Sequence, residues 1–502
     1  MQGATLTRRL AGPSWLEPLR EVPERAWARG AFAVLCLVAL IGFFVYPTYP
    51  IYDSYYSLIW GREALHLHAL SFHVYRAPTE HPAAIAFGGL LSLAGNHADR
   101  LLVGATIGSF MVLSAGLYRL ARLAFTPIVG ALAVVLLITR FNLSFLAVRG
   151  YVDIPYLAVV VWAAALEAER PRRGLPVFAL LFVAELLRPE AWLLGGLYFL
   201  WCAYAAPWRE RFRFAAITAA GPLIWASVDL VETGDPLFSL HSTSGLAATL
   251  GRSKGLGAVP TATWQYLVRL DKLPVIVAAI AGLLICVSLV PKRVRMPGIL
   301  LAVGLGTFVL IGAAGLSVID RYLLVPSLMV IVFGAAGLGG WTMLAAGGRL
   351  RRAWASAAAL LLAYGVLAAV STVSVQKIQT ELGFRGDSHT ALAAILSNRR
   401  VRSGLRCGPL SVPNHKLVPD ARWELHRGPA GVIARSDARL QAQHGHIALL
   451  GRTMRGVALY PTGLAVERQA LVDTSDDPRD QVPLAGFQRV ATTQYYGAYV
   501  RC

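Results

Sequence analysis

Residues 31–48 read AFAVLCLVALIGFFVYPT, an apolar run close to the ~20 residues that a helix needs to cross a ~30 Å hydrocarbon layer. Arg8, Arg9, Arg20, Arg25 and Arg29 precede it. A secretory signal has the same basic-then-apolar order. Here, however, the basic part fills residues 1–30 and no small-x-small cleavage motif ends the apolar part. The segment reads as a retained first span, with residues 1–30 as a cytoplasmic basic tail. Comparable runs recur as far as Ser374, near 101–118, 127–147, 154–168, 175–188, 190–206, 214–231, 273–290, 298–317, 322–343 and 355–374, which with the first makes eleven expected spans.

Composition agrees. A chain of 502 residues with 56% hydrophobic and only 15% charged residues is not a single water-soluble core. The fold class is a polytopic α-helical membrane protein of about eleven transmembrane helices. A formal charge of +19, from 47 Lys and Arg against 28 Asp and Glu, would suggest nucleic acid in a soluble protein. The cations instead cluster between apolar runs, at Arg119/Arg122, Arg170/Arg172/Arg173, Arg209/Arg211/Arg213, Lys292/Arg293/Arg295 and Arg349/Arg351/Arg352. That is the signature of cytoplasmic loops, and no nucleic-acid partner is expected. Residues 57–67 and the short apolar stretch 82–94 are placed along the outer membrane surface, because a crossing at 82–94 would turn all five basic clusters outward.

This topology gives a membrane module over residues 31–374, with external loops 49–100 and 232–272. Residues 375–502 lose the long apolar runs and show alternation such as that of Gly486–Val500, which suits a small extracytoplasmic soluble α/β domain. Five cysteines are too few for a disulfide scaffold and have no metal-site spacing. Cys407 and Cys502 lie outside the membrane, where an oxidising exterior permits either a bridge or two free thiols. Ala-, Gly-, Leu- and Arg-rich usage suits the plasma membrane of a GC-rich bacterium.

The polar residues beside the spans gather on one side: Asp53, Glu80, His81, Arg149, Asp153, Arg188, Glu190, Asp235, His241, Asp320 and Arg321 all fall on the external face. Ionisable groups at the hydrocarbon edge are costly unless they pair or face a cavity, so their convergence points to a polar site opening outward. No Gly-rich phosphate loop or dinucleotide fingerprint follows a strand, so an activated substrate would arrive through the lipid. Each candidate also has a structural reading. Asp53 and Asp153 suit helix N-caps, Pro155 standing in the first turn after Asp153. Arg188 and Glu190 suit an interfacial ion pair, Arg321 a pair with Asp320, and His241 an interfacial histidine without a role.

With these residues in place the sequence resembles the polyprenol-dependent, C-type (GT-C) integral membrane glycosyltransferases, which include protein mannosyltransferases and aminoarabinose transferases. The resemblance spans roughly residues 31–374. It rests on Asp53 and Asp153 in the first two external loops, Thr79-Glu80-His81-Pro82, Gly234-Asp235-Pro236-Leu237-Phe238-Ser239-Leu240-His241 and Asp320-Arg321-Tyr322-Leu323-Leu324-Val325-Pro326. A second proline after His81-Pro82 is missing, and the C-terminal region matches no module of the family. The resemblance implies inverting transfer of a sugar, hexosyl or pentosyl, from a polyprenyl-phosphate donor to a hydroxyl on a glycan, lipid or protein acceptor.

In that chemistry a carboxylate takes the acceptor proton and a guanidinium stabilises the departing phosphate. Asp53 is the expected base and Asp153 its orienting partner. Arg321, Tyr322, His81 and Glu80 are expected at the donor, Asp235 and His241 at the acceptor. The Gly/Ser/Thr-rich segment 242–257 in the middle of the same external loop reads as a mobile cover. No cofactor is expected. Were a divalent metal used, Asp53, Asp153 and His241 would be its ligands. A transporter or lipid flippase and an envelope assembly protein are the competing functions. No internal repeat or mid-span charge supports the first, and eleven spans exceed what an anchor for the second requires.

Overall fold

The computed structural model describes residues 23–372, 375–437, 454–462 and 486–502. Most of the expected basic tail lies outside the described residues. Among the described residues, helix α1 (Glu24–Val45) forms one unit and those from Tyr46 onward form a second.

The second unit opens with α2 (Tyr52–Leu65), α3 (Pro82–Ser92) and the long α4 (Ala98–Ala124). There follow α5 (Pro127–Ile138), α6 (Phe141–Val148), α7 (Asp153–Glu169), α8 (Leu175–Leu187), α9 (Ala191–Ala203) and α10 (Trp208–Thr233). Next come α11 (Phe238–Thr249), α12 (Val259–Asp271), α13 (Leu273–Leu289), α14 (Pro291–Ala313), α15 (Leu324–Gly339) and α16 (Arg349–Thr372). The C-terminal region adds α17 (Val375–Ser397), α18 (Arg399–Gly404) and α19 (Val418–Leu425).

A helix stands at each of the eleven expected spans, but not all are full crossings. Six helical segments among the described residues are long and apolar enough to cross a membrane alone, and counting two bent pairs makes up to eight. The expected span 127–147 is one of these pairs: α5 and α6 meet at 66°. Thr126 caps α5 by accepting from the Val129 amide, and Pro127 supplies the preset first turn. The second pair joins helices ending at Asp271 and beginning at Leu273, which meet at 104°. Segment 232–272, expected as an external loop, is helical over much of its length, as α11 and α12.

Close approach of small residues holds the helices together, as expected where no hydrophobic gain separates lipid from protein. At the α2–α3 crossing a Cβ on Gly61 would lie 2.1 Å from the Gly89 amide nitrogen, and one on Gly88 2.3 Å from the Ser57 carbonyl. α13 and α15 meet the same way: a Cβ on Gly282 would lie 2.2 Å from the Phe333 carbonyl, and one on Gly337 2.2 Å from that of Ala278. Every residue of α15 is buried, consistent with a sequence that is apolar on all sides. That central helix carries Arg321 just ahead of its first turn.

The C-terminal region contains β1 (Leu410–Val412), β2 (Val432–Ala434), β3 (Gly456–Pro461), β4 (Gln488–Thr492) and β5 (Tyr496–Arg501). They form a sheet in the order β2-β1-β3-β5-β4. β1 runs parallel to β2 and β3, with Leu410 opposite Val432 and Val457, whereas β5 is antiparallel to β3 and β4. The expected alternation of 486–500 is thus a hairpin. Leu410, Val412, Val457, Leu459 and Ala498 pack against Leu392, Ile395 and Leu396 of α17. Cys407 and Cys502 are bridged, their Cα atoms 5.4 Å apart. The region is seated on α2: Arg422 Nη2 donates to Glu63 Oε1 at 2.8 Å, and Trp423 packs among Tyr55, Leu58 and Ile59.

Candidate functional site

Backbone hydrogen bonds bring two distant segments together before any side chain of the site is considered. The Ile51 amide donates to the Arg149 carbonyl at 2.9 Å, the Ser54 hydroxyl to the Gly150 carbonyl at 2.8 Å, and the Thr48 hydroxyl to the Val148 carbonyl. These contacts lay the start of α2 beside the start of α7. Asp53 and Asp153 therefore share one site although they are a hundred residues apart in sequence.

Arg321 joins them. Its Nη1 donates to Asp53 Oδ2 at 3.1 Å, while Nη2 and Nε donate to Asp153 Oδ2 at 2.7 and 3.1 Å. The second aspartate is wholly buried and also accepts from Arg188 Nη1. Arg188 in turn holds Glu190, with Nη2 to Oε1 at 2.6 Å and Nε to Oε2 at 3.2 Å. The result is a continuous chain, Asp53–Arg321–Asp153–Arg188–Glu190, of fork-shaped, charge-assisted hydrogen bonds. Aromatic faces enclose the guanidinium groups: Tyr151 lies 5.0 Å from that of Arg321, and Tyr156 and Tyr322 lie 5.7 and 5.4 Å from that of Arg188.

Asp53 and Asp153 stand at the first turns of α2 and α7, as helix caps would, yet neither helix has a side-chain cap bond. Asp53 Oδ1 is buried without a hydrogen-bond partner among the described residues. Arg321 turns away from its neighbour Asp320, which faces Arg269 at 3.7 Å. His81 lies close enough to Arg188 and Arg321 for its burial, together with their charges, to push its pKa down to about 3. It is a neutral imidazole whose buried Nδ1 has no hydrogen-bond partner, set edge-on to Trp225 at 5.7 Å. Glu80 is buried near Ser239, and burial pushes its carboxyl up to about 8.

Asp235 and His241 do not join the chain of charges. They form an exposed pair with each other, Nδ1 to Oδ2 at 2.6 Å, around the turn from α10 into α11. His241 therefore does not complete a metal set with Asp53 and Asp153, whose facing oxygens are occupied by Arg321. The part that Arg188 and Glu190 play in the site, and Arg252 altogether, went unrecognised in the sequence. Arg188 and Glu190 read as an ordinary interfacial pair, and only the fold reveals Asp153 as their third member. Arg252 acts electrostatically on Tyr52 and Tyr322 from the loop that pairs Lys254 with Ser317. Nothing in the sequence around it carries a motif.

The Asp153 end of α7 is separated from its Glu169 end by about 24 Å, at 1.5 Å per residue. At the far end Glu169 accepts from Arg119 Nε at 2.9 Å and Arg173 Nη1 at 3.0 Å. The acid–arginine chain and the arginines Arg119 and Arg173 thus occupy opposite ends of the same helix.

No family model matches the sequence, and no curated protein matches it significantly. Solved structures do match in three dimensions. ArnT from Cupriavidus metallidurans bound to undecaprenyl phosphate is 14% identical over 94% of this chain and 98% of its own, with a TM-score of 0.56. The oligosaccharyltransferase from Archaeoglobus fulgidus is 12% identical over 87% of this chain and 69% of its own, with a TM-score of 0.50. In the form tethered to an acceptor peptide it covers 97% of this chain and 74% of its own. The chain therefore has the fold of these membrane glycosyltransferases, the GT-C fold.

Proposed function

We propose that the chain transfers a sugar from a polyprenyl-phosphate donor to an acceptor hydroxyl, with inversion at the anomeric carbon. The observation that carries this reading is the Arg321 guanidinium held between Asp53 and Asp153 at one end of the apolar helices. The structural neighbour bound to undecaprenyl phosphate supports it. In this reading Arg321 swings part of its fork from Asp53 to the donor phosphate and stabilises the charge that develops as the glycosidic C–O bond breaks. Asp53 then takes the proton of the attacking hydroxyl, its unpartnered Oδ1 being the atom available. Asp153, wholly buried and held by two arginines, positions Arg321 and is the orienting partner rather than the base.

The proton and the leaving group move to different residues, so no second acid is needed, unlike hydrolysis by paired carboxyls. Neutral His81, Glu80 and Tyr322 shape the donor side, and the exposed Asp235–His241 pair is the candidate acceptor contact. Two arginines already engage the facing carboxylates, and the reading uses no metal cofactor. In this reading the five basic clusters are cytoplasmic, as the positive-inside tendency favours, and the reacting end faces outward from a plasma membrane.

The test is transfer or hydrolysis by the purified chain with labelled polyprenyl-phosphate mannose and arabinose. Lipid-dependent release of sugar, lost in Arg321→Ala, is the expected result. Equal turnover in that variant, or no reaction with any lipid-linked sugar, would overturn the reading.

A further inference from the structure

A second polar cluster forms where the C-terminal region meets the start of α4. His389 lies in α17, Asp420 and Glu424 lie one turn apart in α19, and Asp99 is the second residue of α4. His389 is only 7% exposed and Asp99 3%. The imidazole is held on one edge and one face. Asp420 Oδ2 is 3.2 Å from Nδ1, the Tyr55 hydroxyl is 3.3 Å from it, and the Tyr49 ring stacks on the imidazole at 3.6 Å. Its other nitrogen, Nε2, makes no hydrogen bond among the described residues. It faces Asp99 Oδ2 and Glu424 Oε1, each 3.9 Å away.

That separation is too long for a hydrogen bond but suits ligand atoms placed around one ion. Bonds of roughly 2.0–2.2 Å hold ligand atoms about 3.4 Å apart at tetrahedral angles and up to about 4 Å at wider ones. The three ligand atoms all lie within 4.8 Å of one another. Charge points the same way. Three carboxylates surround one imidazole, which even when protonated offsets only one of them. The nearest further cations are Arg100, which donates to the Thr48 carbonyl, lies against the Tyr49 ring and acts on Asp99, and Arg149, which acts on Asp420. A carboxylate on Nδ1 is also the usual outer partner of a metal-bound histidine, because it leaves the Nε2 lone pair free for the ion.

We infer that Asp99, His389 and Glu424 bind a Zn²⁺ ion, with Asp420 and Tyr49 orienting the imidazole. The nitrogen ligand favours zinc over calcium or magnesium, which prefer all-oxygen shells. Three protein ligands leave a fourth position for water. The ion ties α17 and α19 to α4 and so fixes the C-terminal region against the segment that carries Asp53.

The experiment uses the full chain in detergent, stripped with a chelator and then titrated with Zn²⁺. One equivalent should bind by calorimetry and elemental analysis, and the thermal midpoint should rise. Co²⁺ should give the visible absorption of a low-coordinate N/O site. His389→Ala and Glu424→Gln should each weaken Zn²⁺ binding at least ~10-fold, whereas His241→Ala, at an exposed histidine outside the cluster, should not. Glu424 is partly exposed, so its isosteric change decides the matter if His389→Ala does not fold. Failure of the folded wild type to take up Zn²⁺, or undiminished binding in Glu424→Gln, would overturn the inference and leave a protonated histidine among carboxylates.

Discussion

Asp53 Oδ2 is committed to Arg321 while Oδ1 has no hydrogen-bond partner among the described residues, so substitution separates the two roles that the proposed mechanism gives the carboxylate. Asp53→Asn keeps the size and an acceptor for Arg321 but cannot take a proton. Turnover should fall ~10²-fold or more, with donor affinity retained, measured by single-turnover transfer and by donor binding. Activity close to wild type would return Asp53 to the role of a structural residue. Arg188 calls for a stability measurement, because it is buried between Asp153 and Glu190. Arg188→Met strips a buried acid of one partner and should destabilise by roughly 3–5 kcal/mol in a denaturant titration.

Glu80 and His81 give a pH signature. The Glu80 carboxyl, raised to about 8 in the folded chain, keeps its proton where the unfolded chain has lost it. Between pH ~4.5 and 8 the native state therefore binds more protons, and stability falls as pH rises through that window. His81, lowered to about 3, acts in reverse: below pH ~6.5 the unfolded chain binds the extra proton, and stability falls as pH drops. Thermal midpoints of wild type and Glu80→Gln should diverge progressively from pH 5 to 8, with the variant flatter. Parallel curves would mean that Glu80 is ionised in the native chain.

At the scale of elements, the α2–α3 crossing controls where Asp53 stands. A side chain on Gly88 would meet the backbone of Ser57, and main chain cannot rotate aside as a flexible side chain can. Gly88→Val should cost at least about 1–3 kcal/mol and displace α2, so transfer should be lost even where the protein still inserts and folds. Gly108, where an added Cβ would meet nothing within 4 Å, should tolerate alanine in the same assay. The Cys407–Cys502 bridge closes ninety-five residues of the C-terminal region. Its removal by Cys407→Ser should lower stability by about 2–5 kcal/mol, seen as an earlier melt of that region and matched by reductant on the wild type.

For the whole molecule, the acid–arginine chain at one end of α7 and Arg119 and Arg173 at the other make orientation the decisive question for function. With the basic clusters inside, a single cysteine introduced at Asp387 should be labelled by an impermeant thiol reagent in intact cells, and one at Arg351 only after permeabilisation. The reverse pattern would put Asp53 on the cytoplasmic side and remove the argument for a lipid-linked donor presented from outside.

The membrane class, the helical segments and the C-terminal sheet were legible because apolar runs and alternation are local properties of consecutive residues. The two aspartates and Arg321 could be picked out as costly charges at span ends, since desolvation acts on a residue whatever its partners. Which charges meet depended on tertiary contacts. Backbone bonds from 51 and 54 to 149 and 150 bring Asp53 to Asp153, and the buried helix α15 sets Arg321 between them. The same contacts recruit Arg188 and leave Asp235 and His241 apart in an exposed pair. They also close Asp99, His389 and Glu424 around one point, although Asp99 is far from the other two in sequence. No local pattern marks such a cluster, because ion pairing and metal geometry depend on distances across helices that only packing determines.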